Sequence, residues 1–208
     1  MPNKSSIYDT LFAEYDKQSK GDKSIEFAVK WFYREIRAIY SRTPVSLKEG
    51  MESQHKIAPE DIGFGRMYLF EYRAKKAEEY YDRYPVVLPF TIKSDHIVGF
   101  NLHYLPHRYR LIAMSAILAK ADPRFPPTDK DITRFDYDTV RGRGAVEFMK
   151  VAVRQYRLRG IRSAVADISP QDWITAAFLP IAQFRGTLNT PTAISNEMTK
   201  QIRELRGD

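Results

Sequence analysis

The sequence predicts an α+β protein with an N-terminal helix, a small antiparallel sheet and a helical, basic C-terminal half. Two observations carry that class. Apolar residues recur at spacings of three and four near the N-terminus and again beyond residue 140, the period of a helix face. Between residues 66 and 104 they come instead in short aromatic and β-branched runs, the pattern of strands. The organisation this suggests is a helical segment and long loop over 1–65, an α+β core over 66–186 and an amphipathic tail helix over 187–208.

In chain order, Ile25, Val29, Phe32, Ile36 and Ile39 form one stripe of a helix over 24–41, with Ser24 as its N-cap. Pro44 disfavours helix at the residue before it and ends the run. Residues 44–65 lack a period and read as a long loop, of a length usually ordered by function or by a partner. Next come "RMYLFEY", with Tyr68, Phe70 and Tyr72 on one face, and "VVLPFTI", with Val86, Leu88, Phe90 and Ile92 on one face. Pro89 cannot donate to a ladder, so this second strand is an edge or carries a bulge. "KSDH" turns the chain into a third strand, "HIVGFNLHY". The three strands form an antiparallel unit whose candidate shape is a small SH3-like barrel.

Helix returns at "LPHRYRLIAMSAILAK", where Pro106 suits a first turn and Leu111, Ile112, Ser115, Ile117 and Leu118 share a mostly apolar face. "ADPRFPPTDKD" is a loop. "GAVEFMKVAVRQYRLR" reads as a second strong helix, with Val146, Met149, Val153 and Tyr156 as its stripe. "ISPQDW" is a helix start: Ser169 caps, Pro170 takes the first position, Asp172 reaches back, and Ile168 and Trp173 form the staple. Pro180 ends that short helix. Ile194, Met198, Ile202 and Leu205 share a face of a tail helix, the kind of element that docks on a neighbour in an assembly.

The chain has 208 residues, 43% hydrophobic and 28% charged, enough for a packed core. Its apolar runs are far too short to span a bilayer, which points away from a membrane partner. The opening "MPNKSSIYDTLFAEYDK" carries acids and lacks the pattern of a secretory leader, so cytosolic assembly is the expectation. With no cysteine, disulfides, thiol catalysis and cysteine-ligated zinc are excluded.

The net charge is +7, and it is concentrated. Between Val140 and Ser163 lie Arg141, Arg143, Lys150, Arg154, Arg157, Arg159 and Arg162, against the single acid Glu147. Such a segment attracts polyanions by its summed field and by counterion release. The seven cations are the candidate nucleic-acid contacts, with Lys150, Arg154 and Arg157 sharing one face of the expected helix; a solvated helix face or an acidic neighbour in an assembly is the plainer alternative.

Other constellations are weaker. His96, His103, His107, Asp82 and Asp95 are close in sequence, but nothing in their spacing enforces the convergence a metal needs. A metal nuclease built on Glu71 and Asp82 lacks an ordered carboxylate motif. "GFGR" lacks the lysine-serine ending of a phosphate loop, and "RGRG" at 141–144 either wraps a phosphate or starts a helix. In "YYDRYP", Asp82 among Tyr80, Tyr81 and Tyr84 suits a structural corner, its carboxylate accepting a hydroxyl or backbone amides.

"GRMYLFEYRAKKAEEYYDRYPVVLPF" followed by "GFNLHYLPHRYR", and later "DWITAAFLPIAQFRG", resemble blocks of the DNA end protector, or head completion, family of T-even-type contractile-tailed bacteriophages. The likeness covers residues 65–111 and 161–186. It implies a minor virion protein, made in the host bacterial cytoplasm, that binds the ends of packaged linear double-stranded DNA, shields them from exonuclease and completes the head beside other head, neck or tail proteins. It implies no catalytic residue, metal or cofactor. A neck, tail or baseplate connector without end binding is the competing class.

Overall fold

The computed structural model describes residues 14, 17, 55–75, 80–118, 144–168, 173–178 and 182–207. The helix expected over 24–41, the 121–131 loop and the capping residues Ser169, Pro170 and Asp172 lie outside them. Mixed α+β architecture with antiparallel sheets is what the described residues form. One sheet has six strands: β1 (His55–Ile57), β2 (Met67–Leu69), β4 (Val86–Ile92), β5 (His96–Asn101), β6 (Val153–Arg157) and β7 (Val165–Ile168), in the order β1-β7-β2-β4-β5-β6 with every neighbour antiparallel. A second sheet pairs β3 (Tyr80–Asp82) with β8 (Phe184–Gly186). The α-helices whose bounds fall within the described residues are α1 (His107–Leu118), α2 (Trp173–Phe178) and α3 (Pro191–Arg206).

The expected β2-β4-β5 unit is present at the centre of the larger sheet. Its hairpin is closed by the Lys93 N–H donating to the His96 carbonyl at 2.9 Å. The ladder slips between Pro89 and Thr91, as the proline's missing donor suggested. That bulge corrects one expectation. Val86 and Leu88 lie in one apolar cluster with Phe90 packed on it, but the extra residue reverses the alternation and turns Ile92 toward the other. Gly99 faces Pro89 across the ladder, where a Cβ would sit 2.6 Å from both the Leu88 carbonyl oxygen and Val87 Cγ1.

Both sheet faces are buried. Met67, Leu69, Val86, Leu88, Phe100, Ala166 and Ile168 form one cluster with residues of α1, α2, α3 and the 3-10 segment Gly144–Ala152. Tyr68, Phe70, Tyr72, Val87, Ile97, Tyr156 and Val165 form the other. Here Tyr156 meets Phe70 and Tyr72 edge-on, at centroid distances of 5.5 and 4.9 Å. Arg66 clamps Asp167 of β7 through two contacts of 2.9 and 2.6 Å.

Three further expectations need correction. The sheet runs from β1 at one end to β6 at the other without closing into a barrel. Residues 144–159 are not one helix: Gly144–Ala152 is a 3-10 segment and Val153–Arg157 is strand β6. An apolar spacing of three suits a 3-10 turn as well as an α-helix, and β5 presents a ladder edge whose backbone groups β6 satisfies. The C-terminal half is therefore mixed rather than helical. Within the loop expected over 44–65, His55–Ile57 pairs with β7 and Pro59–Asp61 is a 3-10 turn, so the chain itself orders 55–65.

Helix ends follow the sequence more closely. The Tyr109 and Arg110 N–H groups reach back to the Pro106 carbonyl at 2.8 and 3.0 Å. Buried Arg110 donates to the Leu105, Ala177 and His103 carbonyls, tying α1 to α2. Ile168 and Trp173 share the core, and Trp173 Nε1 donates to the Ile168 carbonyl at 3.0 Å. Thr190 caps α3 by accepting from the Ala193 N–H, and Gly207 ends it at φ 74°. Ile194, Met198 and Ile202 face this chain's own core, while Leu205 is 40% exposed.

Asp82 joins the two sheets. Its Oδ1 accepts from the Tyr84 and Gln183 N–H groups at 3.1 and 3.3 Å; its Oδ2 accepts from Asn101 Nδ2 at 3.1 Å and contacts His103 Nδ1 at 2.6 Å. The corner expected of "YYDRYP" is thus a fully buried carboxylate. Asp82→Ala should lower folding stability by about 3–5 kcal/mol, because its donors would stay buried without an acceptor; a urea titration reads this directly. His107 adds a pH dependence. Burial, then the Arg110 and His103 charges, lower its pKa well below the usual 6.5. Folding therefore favours the neutral ring, so stability holds above about pH 6.5 and falls as the unfolded chain takes up the proton below it. Denaturation midpoints between pH 7 and 5 should show this slope, and His107→Phe should reduce it.

Candidate nucleic-acid interface

Of the seven basic residues singled out from the sequence, five are among the described residues, and only three of these line one pocket. Arg141 and Arg143 lie outside the described residues. Lys150 stands exposed on the 3-10 segment, its Nζ 2.6 Å from Glu147 Oε1. Arg154 and Arg157 are three apart on a strand, so the helical face expected to unite them with Lys150 does not exist. The Arg154 guanidinium lies 3.7 Å over the Tyr104 ring and donates to the Val151 and Val153 carbonyls at 3.0 and 2.7 Å. Burial pushes the Tyr104 hydroxyl up to about 12, with Arg154 pulling the other way.

Arg157, Arg159 and Arg162 do come together. They line a pocket of about 350 Å³ with Tyr72, Arg73, Ala74, Lys75 and Gly160. Its frame is backbone. The Arg73 N–H donates to the Gly160 carbonyl at 2.9 Å and the Arg162 N–H to the Glu71 carbonyl at 2.8 Å, on either side of an antiparallel bridge from Tyr72 to Ile161. The 3-10 turn Leu158–Gly160 carries the chain there from β6; its first N–H bonds to the Asp95 carbonyl at 2.9 Å. Tyr72 Oη accepts from the Arg157 N–H at 3.4 Å.

Side-chain alternation does the rest. Leu158 and Ile161 turn into the tyrosine-rich cluster, while Arg157, Arg159 and Arg162 are exposed. Gly160 is required by close approach: a Cβ would sit 2.6 Å from Tyr72 Cε2 and 3.1 Å from the Arg73 carbonyl oxygen. Nearby acids among the described residues have partners of their own. Glu71 Oε1 accepts from Arg83 Nε and Nη2 at 3.0 and 2.7 Å. Asp95 is bonded by His96 at 2.6 Å, which holds its carboxyl below the usual range. Among the described residues no carboxylate forms an ion pair with any of the five pocket cations.

Arg73 and Lys75 are pocket cations that the sequence reading did not include among the candidate contacts. They stand in "FEYRAKK", more than eighty positions before Arg157, and the antiparallel β2–β7 pairing, continued by the bridge from Tyr72 to Ile161, brings the two stretches together. The carboxylates considered for a nuclease are otherwise occupied, Asp82 by its buried corner and Glu71 by Arg83. In the histidine group His103 pairs with buried Asp82 and His96 with exposed Asp95, while His107 packs against Phe178 at a centroid distance of 5.9 Å. Among the described residues no three His, Asp or Glu side chains gather as a metal site would require.

A concave, cation-lined site of this kind holds phosphate by charge-assisted hydrogen bonds and carries no base-reading geometry. A family model described as "Phage T4 terminal DNA protecting protein" matches residues 25–195. No curated protein and no solved structure matches the chain. Gly160→Ala tests the frame of the pocket. It should cost about 1–3 kcal/mol by overpacking against Tyr72, and it should weaken DNA binding at temperatures where the variant remains folded, as read by thermal melts beside anisotropy titrations.

Proposed function

Because the chain belongs to the phage T4 terminal DNA protecting protein family, we propose that it shields DNA ends by gripping phosphates with Arg73, Lys75, Arg157, Arg159 and Arg162. As a member of that family it is a bacteriophage DNA-protecting protein, associated with the virion and bound to phage DNA ends. The observation that carries the residue assignment is the five-cation pocket. Arg141, Arg143, Lys150 and Arg154 remain secondary contacts in this proposal.

Finer parts of the proposal are supported by position. The order β7-β2-β4-β5-β6, with a 3-10 turn leading from β6 toward β7, supports an SH3-like arrangement left open at its ends. Continuation of the antiparallel β2–β7 pairing sets Arg162 beside Glu71. Completion of the head in the host bacterial cytoplasm would add contacts to other particle proteins. Leu205 on the outer side of α3 and Phe64, 38% exposed, are places where such a contact would begin.

Exonuclease protection tests the proposal. At near-physiological salt the protein should slow a processive end-dependent exonuclease on linear duplex DNA and show little affinity for a nicked circle. Arg157→Gln and Arg162→Gln should each weaken binding about equally on all sequences and reduce the salt slope by about one. Equal binding to line and circle without protection would overturn the proposal in favour of a connector.

A further inference from the structure

We propose that the pocket between Arg73–Lys75 and Arg157–Arg162 seats the phosphomonoester at a DNA terminus, and so distinguishes an end from the interior of a duplex. This rests on the end-binding function proposed above and says what the site would recognise there.

Size is the first argument. At about 350 Å³ the pocket lies at the small end of the range for small-ligand sites, about 300–1,000 Å³. It is an open recess with room for about one terminal nucleotide and its phosphate, not a groove for a length of duplex. An internal phosphate has a nucleotide on each side and meets a protein as part of a ridge. A terminal phosphate has a nucleotide on one side only and can enter a recess.

Charge is the second argument. A phosphodiester carries one negative charge. A phosphomonoester carries about −1.5 to −2 at pH 7 and three acceptor oxygens. Five cations around one recess exceed what a single diester neutralises, and arginine forks suit the several oxygens of a monoester. Arg159 and Arg162 stand on either side of Gly160 and Ile161, while Arg73 comes from the facing strand and bonds Gly160 through its backbone. The cations therefore approach from two sides of the recess. The bridge from Tyr72 to Ile161 holds those sides together before any ligand arrives.

The test uses one duplex sequence in four forms: 5′-phosphate ends, 3′-phosphate ends, hydroxyl ends, and both ends closed by hairpin loops. Anisotropy titrations of the full chain at near-physiological salt compare them. One phosphorylated form should bind about tenfold tighter than the hydroxyl form, the yield of one added charge-assisted hydrogen bond. Whichever form gains identifies the terminus. The double variant R159Q/R162Q should lose the preference, as should Lys75→Gln in part; Lys200→Gln, on the exposed side of α3, should keep it. Thermal melts establish that each variant is folded. Equal affinity for phosphate and hydroxyl ends, both tighter than the closed form, would overturn the pocket assignment and leave end protection standing. A phosphate preference that survives R159Q/R162Q would overturn it too. Equal affinity for all four forms would overturn end recognition itself.

Discussion

The fold depends on one buried carboxylate. Asp82 ends the short strand β3, yet its oxygens reach Tyr84 and Gln183 on the small sheet's side and Asn101 and His103 at the end of β5. Asn101 is used completely: its second Nδ2 contact goes to the Tyr156 hydroxyl at 2.9 Å and its Oδ1 accepts from the His103 N–H at 3.0 Å. The network thus passes from the β3–β8 pair through β5 to β6. A carboxylate so enclosed is expensive to bury, and only a full set of donors makes it tolerable. The same requirement makes it specific. A slipped register of β5 or β6 would remove Asn101 or Tyr156 and strand the charge.

From Tyr156 the constraint continues to the surface. Its ring packs edge-on against Tyr72, and Tyr72 bridges to Ile161 on the far side of the 3-10 turn. The placement of the pocket cations is therefore a consequence of core packing. Tyrosine suits this work because its ring fills the apolar layer while its hydroxyl ends on a polar partner. The arginines need no partners of their own to stay in place, since Leu158, Gly160 and Ile161 fix the backbone between them. Their guanidinium groups remain available for an anion.

Much of this was legible in the sequence, and the losses have physical causes. The β2, β4 and β5 strands, the proline bulge, the corner at Asp82 and the apolar face of α3 follow from local chemistry: alternation, a missing donor, a carboxylate among tyrosines, a helical stripe of Ile194, Met198 and Ile202. Residues 144–159 were misread because their apolar spacing of three fits two kinds of helix, and the strand at their end exists to complete the edge of β5. That is a tertiary demand with no local mark. The basic segment was visible as a charge excess, but its division was not. Arg154 is packed over Tyr104, Lys150 is paired with Glu147, and three arginines are gathered with Arg73 and Lys75 from another strand. Long-range pairing creates the site, and a single sequence does not print it.

Concentration of charge, rather than its amount, separates an end-binding surface from a general DNA-coating one. A protein that coats duplex DNA gains affinity by spreading cations along it, where one charge per about 1.7 Å of axis offers counterions to release. Cations gathered around one recess of about 350 Å³ cannot reach many successive phosphates. Against the interior of a duplex most of their potential is unused, and they repel one another. Against a locally charge-dense group they act together, and the mutual repulsion is relieved on binding. The frame of backbone hydrogen bonds around Gly160 fixes the Cα positions from which those side chains extend. A crowded group of cations is thus poorly matched to duplex length and well matched to a terminus.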